Sequence, residues 1–165
     1  MVKSKKHFGL IAGFVTITIG TAIFGIYSIY HIFFKRDFLT IWNGEFSDTV
    51  FKSMHFAIEI SLLLFFLSIF KFLRSITGNC LSYIGAIHLL LIWINCFVIV
   101  YQFWGGAGII TGYILGIGLG LVPMALISIL FHEMWFALGG LGIETFIGIG
   151  SIIMGMFLIT KSTKK

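Results

Sequence analysis

The chain has 165 residues, of which 59% are hydrophobic and only 10% charged, with a mean hydropathy of +1.09 and a formal net charge of +5. A soluble domain carries roughly 25% charged residues, so a water-facing globular surface is excluded on supply alone. The basic excess sits mainly at the ends (Lys3, Lys5, Lys6, Lys161, Lys164, Lys165), which reads as anchoring on anionic headgroups and leaves no basic face for nucleic acid.

Five apolar stretches follow one another: Phe8–Phe34, Met54–Phe70, Leu81–Tyr101, Gly105–Phe131 and Met134–Thr160. Crossing a hydrocarbon core about 30 Å thick takes roughly 20 mainly apolar residues. The second stretch is short, but Lys52 and Lys71 bracket it and can snorkel, extending the span to 54–73; the third extends likewise to 81–103. The expected fold is therefore all-α. It is a polytopic integral membrane bundle in a single domain, residues 1–165, with five transmembrane helices, or four plus a re-entrant segment. The lipid bilayer is its first partner, and its place is an integral, multi-pass one in a membrane whose identity the sequence does not name.

The first stretch follows a basic start, as secretory signals do, but exceeds their apolar core of about 7–15 residues, so an uncleaved span is expected. Between the first two spans, Phe38, Ile41, Trp42, Phe46 and Val50 recur at helical spacing. This pattern predicts a short helix lying in the interface, broken near Asn43-Gly44, with Trp42 at headgroup level; an irregular loop tucked against the bundle is the alternative. Lys71–Cys80 reads as the next connection, with Thr77-Gly78-Asn79 as a turn. Cys80 and Cys96 are separated by about 24 Å of helix and cannot bridge each other. Trp104 is expected as an interface anchor after the third span, and Pro123 as the source of a bend in the fourth. His132-Glu133 is the whole connection between the last two stretches and predicts a tight hairpin.

Let face B be the side of the N-terminus and face A the side of Lys35–Ser53. With five spans, face B receives Lys3, Lys5, Lys6, Lys71 and Arg74, and face A the remaining six basic residues. That balance gives the positive-inside rule nothing to act on.

Gly108, Gly112, Gly116 and Gly120 recur every fourth residue, and Gly140, Glu144, Gly148, Ser151 and Gly155 fall within about 80° of one helical face. Lipid tails are as apolar as leucine, so membrane helices associate largely by close backbone approach over small residues. The expectation is a glycine zipper packing the fourth span on the fifth, with self-association or docking on other membrane subunits as the alternative use. Gly105–Thr111 also resembles Gly139–Thr145, a faint internal repeat.

Ionisable groups at bilayer depth are costly. Depth sorts His31, His55, Glu59 and Asn95 towards face A, and His88, Glu144, His132 and Glu133 towards face B, so that Glu59 is expected beside Asn95 and His88 beside Glu144. Three functions follow. The first is an assembly, accessory or structural subunit, favoured by the absence of HExxH, GxSxG and Walker patterns, which also argues against an enzyme. The second is a small transporter or channel moving protons or a small solute along Glu59, His88, Asn95 and Glu144. The third is a haem b protein with His31 and His55 as axial ligands; otherwise no cofactor and no metal are expected.

Overall fold

The computed structural model describes residues 7–115 and 119–162, and all regular structure among them is helical. The helices are α1 (Phe8–Tyr30), α2 (Phe38–Ile41), α3 (Ser47–Leu67), α4 (Arg74–Ile114), α5 (Leu121–Phe131) and α6 (Trp135–Ser162). Wide π turns, His31–Lys35 and Trp42–Phe46, follow α1 and α2. Four segments are long and apolar enough to cross a membrane: Phe8–Lys35, Ser47–Leu67, Arg74–Ile114 and Ala137–Ser162.

One helix organises the rest. The most apolar window of α4 is 56% buried, against 17%, 22% and 28% for those of α1, α3 and α6, which lean on α4 from different sides. The outer faces of those three helices are left apolar and exposed, with Phe14, Ile23, Phe56, Phe66, Ile143 and Phe146 among them. Such a surface is stable in lipid, where burying hydrocarbon gains nothing, and a liability in water.

Contacts between the helices give their directions. Gly9 lies against Asn79, Gly20 against Leu90 and Phe24 against Phe97, so α1 runs parallel to α4. Met54 meets Asn95 while the Ser68 carbonyl accepts from Arg74, so α3 is antiparallel. Gly155 meets Gly78 and Gly148 meets Gly85, so α6 is antiparallel too.

The stretch Gly105–Phe131 is not one helix. Gly105 adopts φ 61° and ψ −157°, a left-handed backbone that L side chains avoid, and breaks α4 just after Trp104. The chain then doubles back beside its own preceding part until Tyr113 reaches the ring of Trp93 (centroids 6.5 Å apart) and Gly25 of α1. Gly112 and Gly120 close the return, the Gly120 Cα side lying against the Gly112 carbonyl. Along α5, Trp104 Nε1 donates to Ser128 Oγ at 2.6 Å, and beyond it Phe103 stacks on His132 at 4.1 Å. The hairpin therefore ends level with where it began. Pro123 sits in the first turn of α5, where a missing N–H costs nothing, so it helps start a helix and bends none.

This corrects three expectations. The Gly108–Gly120 row is used inside the hairpin: Gly108 faces Val100 and Trp104, Gly112 faces Leu121 and Gly120 faces Gly112, while Gly116 lies outside the described residues. It does not receive α6. The resemblance of Gly105–Thr111 to Gly139–Thr145 carries no common shape either, since one copy holds the break and the other lies in unbroken α6. Thr77-Gly78-Asn79 is helix and not turn. Gly78 is needed against Gly155, Thr77 Oγ1 bonds the Leu73 carbonyl, and Asn79 Oδ1 accepts from Gly9 N–H at 2.9 Å.

The connection between α1 and α3 is tucked inward. Arg36 (φ 58°) turns the chain, and Phe38 and Trp42 are 3% and 6% exposed, with Phe24 edge-on to both and Phe38 also against Phe97 and Tyr101. Trp42, expected at headgroup level, is thus a core residue. Its indole completes an aromatic cluster that the outer half of α1 and α4 cannot fill alone. The His132–Glu133 turn is present, with Glu133 left-handed at φ 54°. The two helices it joins nevertheless make little contact, because α6 leans on α4.

Candidate functional site

The α4–α6 seam is built from residues without side-chain bulk. A Cβ on Gly85 would stand 2.7 Å from the Gly148 carbonyl oxygen, and one on Gly78 2.8 Å from that of Gly155. A Cβ on Gly155 would meet the Gly78 carbonyl at 2.5 Å and the Ser82 side chain. Two helices approach backbone to backbone here, which is how small residues produce association in lipid. Gly148 and Gly155, with buried Ser151, are the members of the expected α6 strip that take part. Gly140 faces open space, as do Gly139, Gly142 and Gly150. The receiving face, Gly78, Ser82 and Gly85, was missed in the sequence although its four- and three-residue spacing is the same signal.

One step along this seam, His88 Nε2 stands 2.5 Å from Glu144 Oε2, with the two side chains 2% and 18% exposed. Gly148 makes the room: a Cβ there would lie 3.3 Å from the His88 ring. The two atoms stand at pairing distance, their alignment departs from a directed N–H···O bond, and neither atom has another hydrogen-bond partner among the described residues. His88 lies near the middle of the unbroken part of α4, Arg74–Trp104, which is about 46 Å long at 1.5 Å per residue. The expected pair is present, but α6 is antiparallel to α4 and begins at the Trp104 end. His132 and Glu133 therefore lie at the opposite end from the one expected, and Glu144 meets His88 because both lie near mid-helix.

The other polar residues do not join it. Asn95 is buried, but its Nδ2 points to Met54 Sδ at 3.0 Å. Glu59 is exposed, on the side of α3 opposite to buried Met54, Ala57 and Ser61, so the expected Glu59–Asn95 pair is absent. A helix turning about 100° per residue places Glu59 nearly half a turn from that buried face. His31 Nδ1 pairs with Asp37 Oδ1 at 2.7 Å and its ring lies 4.3 Å from Tyr27, whereas His55 is exposed on α3. Among the described residues, no ring or hydrogen-bond contact joins these two histidines, and no group of three or more His, Cys, Asp or Glu gathers as a metal site. Cys80 and Cys96 are free thiols.

Two grooves open sideways, both away from His88 and Glu144. One of about 560 Å³ lies between α1 and α4 along Phe8, Val15, Cys80 and Tyr83. The other, of about 310 Å³, lies between the far ends of α3 and α6.

No protein-family model, curated protein or solved structure matches the chain. Its chemistry must be argued from its own residues.

Proposed function

We propose that the chain is a multi-pass membrane protein that serves as an assembly or accessory subunit, docking on another membrane helix through the outer face of α3. Glu59 carries this reading. It is exposed among Phe56, Leu62, Leu63 and Phe66, with His55 one turn away. By the helical rise it lies about 10 Å inside Lys52, well within the hydrocarbon. An acidic group facing lipid near that depth costs up to about 2.5–3.5 kcal/mol, and a neighbouring helix that offers a hydrogen-bond donor removes the cost. The uncovered Gly139, Gly140 and Gly142 on α6 supply a second surface suited to close helix approach.

The test is the mass of the protein extracted from its own membrane in mild detergent. A complex heavier than one 18.5 kDa chain is expected, and Glu59→Leu should release the monomer. A wild-type monomer, or an unchanged complex in Glu59→Leu, removes the proposal.

A second reading has one observation in its favour: Glu144 keeps an edge outside the seam, 18% exposed, through which a proton can exchange. In that reading a proton moves by way of His88 and Glu144 alone, since Glu59 and Asn95 face elsewhere. Proton flux into liposomes carrying the protein is then expected to fall in Glu144→Gln; equal flux in both discards it.

We infer, further, that the membrane topology is four spans with Gly105–Phe131 re-entrant from face A. Both ends of the chain then belong to face B. Face B gathers Lys3, Lys5, Lys6, Lys71, Arg74, Lys161, Lys164 and Lys165, against only Lys35, Arg36 and Lys52 on face A, which also holds Asp37, Glu45, Asp48 and Glu133. Eight basic residues against three is an asymmetry the positive-inside rule acts on, and face B is the cytoplasmic side. With Cys80 and Cys96 replaced by serine, a cysteine at Asn43 is expected to react with an impermeant maleimide added to intact cells. A cysteine at Ser162 is expected to react only after lysis. Labelling of position 162 in intact cells reverses the assignment.

A further inference from the structure

We propose that the groove between α3, the start of α4 and the end of α6 is a binding site for an anionic phospholipid. Both α3 and α6 pack mainly on α4 and hardly on each other, so a wedge of about 310 Å³ stays open between them. Its walls are apolar: Phe65 from α3, Ile69 just beyond the end of α3, and Met154 and Phe157 from α6. Its polar end holds two cations from different helices, Arg74 in the first turn of α4 and Lys161 in the last turn of α6.

Neither cation has an acidic partner among the described residues, and no acidic residue lines the groove. Arg74 is half-buried, and its Nε donates to the Ser68 carbonyl at 3.3 Å. That bond orients the guanidinium and leaves its terminal nitrogens for a ligand. Lys161 Nζ is held 4.9 Å above the Phe157 ring, on the groove wall. The arrangement is a fork for two phosphate oxygens with a point charge beside it.

The choice of occupant follows from the walls. A free phosphate needs polar contacts on all sides, and this site supplies them at one end only. A phospholipid satisfies both ends, with its phosphodiester between Arg74 and Lys161 and an acyl chain along Phe65, Ile69, Met154 and Phe157. The volume seats the headgroup and the start of one chain, and the sideways opening lets the remainder lie in the bilayer. Basic pockets between membrane helices at the anionic leaflet suit this class of ligand.

The experiment uses the full chain purified in dodecyl maltoside. Retention of palmitoyl-oleoyl phosphatidylglycerol and phosphatidylcholine is compared by native mass spectrometry, with inorganic phosphate as competitor. Two basic contacts are expected to favour phosphatidylglycerol by about 25-fold, one contact by about fivefold, and none to give parity. Lys161→Gln, at an exposed position that the fold does not depend on, should show the fivefold preference, and Arg74→Gln with Lys161→Gln should show parity. Lys35→Ala with Arg36→Ala, on the other face, should leave the full preference. Equal retention of the two lipids by the wild type overturns the proposal. So does a preference that survives loss of both Arg74 and Lys161, one lost in the Lys35/Arg36 variant, or displacement of the lipid by millimolar inorganic phosphate.

Discussion

His88→Ala is expected to be the most destabilising polar substitution in this chain, by about 3–5 kcal/mol, because it strands the Glu144 carboxylate in a seam with no other partner. Unfolding in mixed detergent micelles with increasing dodecyl sulfate measures it. Glu144→Gln keeps the shape and removes the charge, so its own cost should be small. The double variant His88→Ala, Glu144→Gln should be more stable than His88→Ala alone, since no unpaired charge remains. The size of the coupling discriminates between two physical states of the pair. A neutral interhelical hydrogen bond in a membrane averages only about 0.6 kcal/mol, because the separated helices find other partners in lipid. A coupling of about 3 kcal/mol identifies an ion pair. A coupling near the lower figure would falsify the ion pair and reduce His88 to an ordinary packing residue.

The second large effect separates glycines that sequence alone treats as equivalent. Gly85→Ala and Gly155→Ala each place a methyl group against backbone, on the Gly148 and Gly78 carbonyls respectively, and backbone has no rotamer by which to yield. Each should cost about 1–3 kcal/mol by forcing α4 and α6 apart. Gly140→Ala should do the opposite. With nothing within 4 Å of its Cβ, it keeps the intrinsic helix advantage of alanine over glycine, up to about 1 kcal/mol. Thermal unfolding of the three variants in one detergent reads the sign directly. Equal effects at positions 85, 155 and 140 would mean that the seam does not hold the helices together. The open position also carries the proposal that α6 meets a partner. Should Gly140→Ala be neutral in detergent yet weaken the complex in membranes, Gly140 belongs to an intermolecular contact.

Several elements were readable from residue types and spacing. The all-helical class with several membrane-length apolar helices was, because so few charges cannot clothe a water-facing fold. The approach of His88 to Glu144 was read as well, but α6 runs opposite to the direction assumed, and the depth matched because Glu144 lies near mid-helix and is level with His88 from either end. The His132–Glu133 turn followed from the scarcity of polar residues between two apolar stretches. The outward face of Glu59 was legible too, although the expected Glu59–Asn95 pairing overlooked it. Asp48, Lys52, His55 and Glu59 fall within about 60° of one side of α3, opposite to Met54, Ala57 and Ser61, which pack on α4.

Hydropathy is blind to direction, and that accounts for the remaining differences. An apolar run as long as Gly105–Phe131 satisfies a crossing and a fold-back equally, because lipid and the interior of the bundle are equally oily to it. What selects the fold-back is specific: a left-handed Gly105, the Trp104–Ser128 bond, and Tyr113 seated between Trp93 and Gly25. Under the four-span topology proposed above, that local choice places the last helix and its lysines on the other face and makes a balanced charge count asymmetric. Small residues behave in the same way. A glycine announces that close approach is permitted, and only the neighbouring backbone says whether anything approaches. Composition thus tells that the helices are long and apolar enough to cross a membrane, and how far along its own helix each polar group lies. Which surfaces meet, which way the chain turns and what remains uncovered are properties of pairs of helices, written in no single one of them.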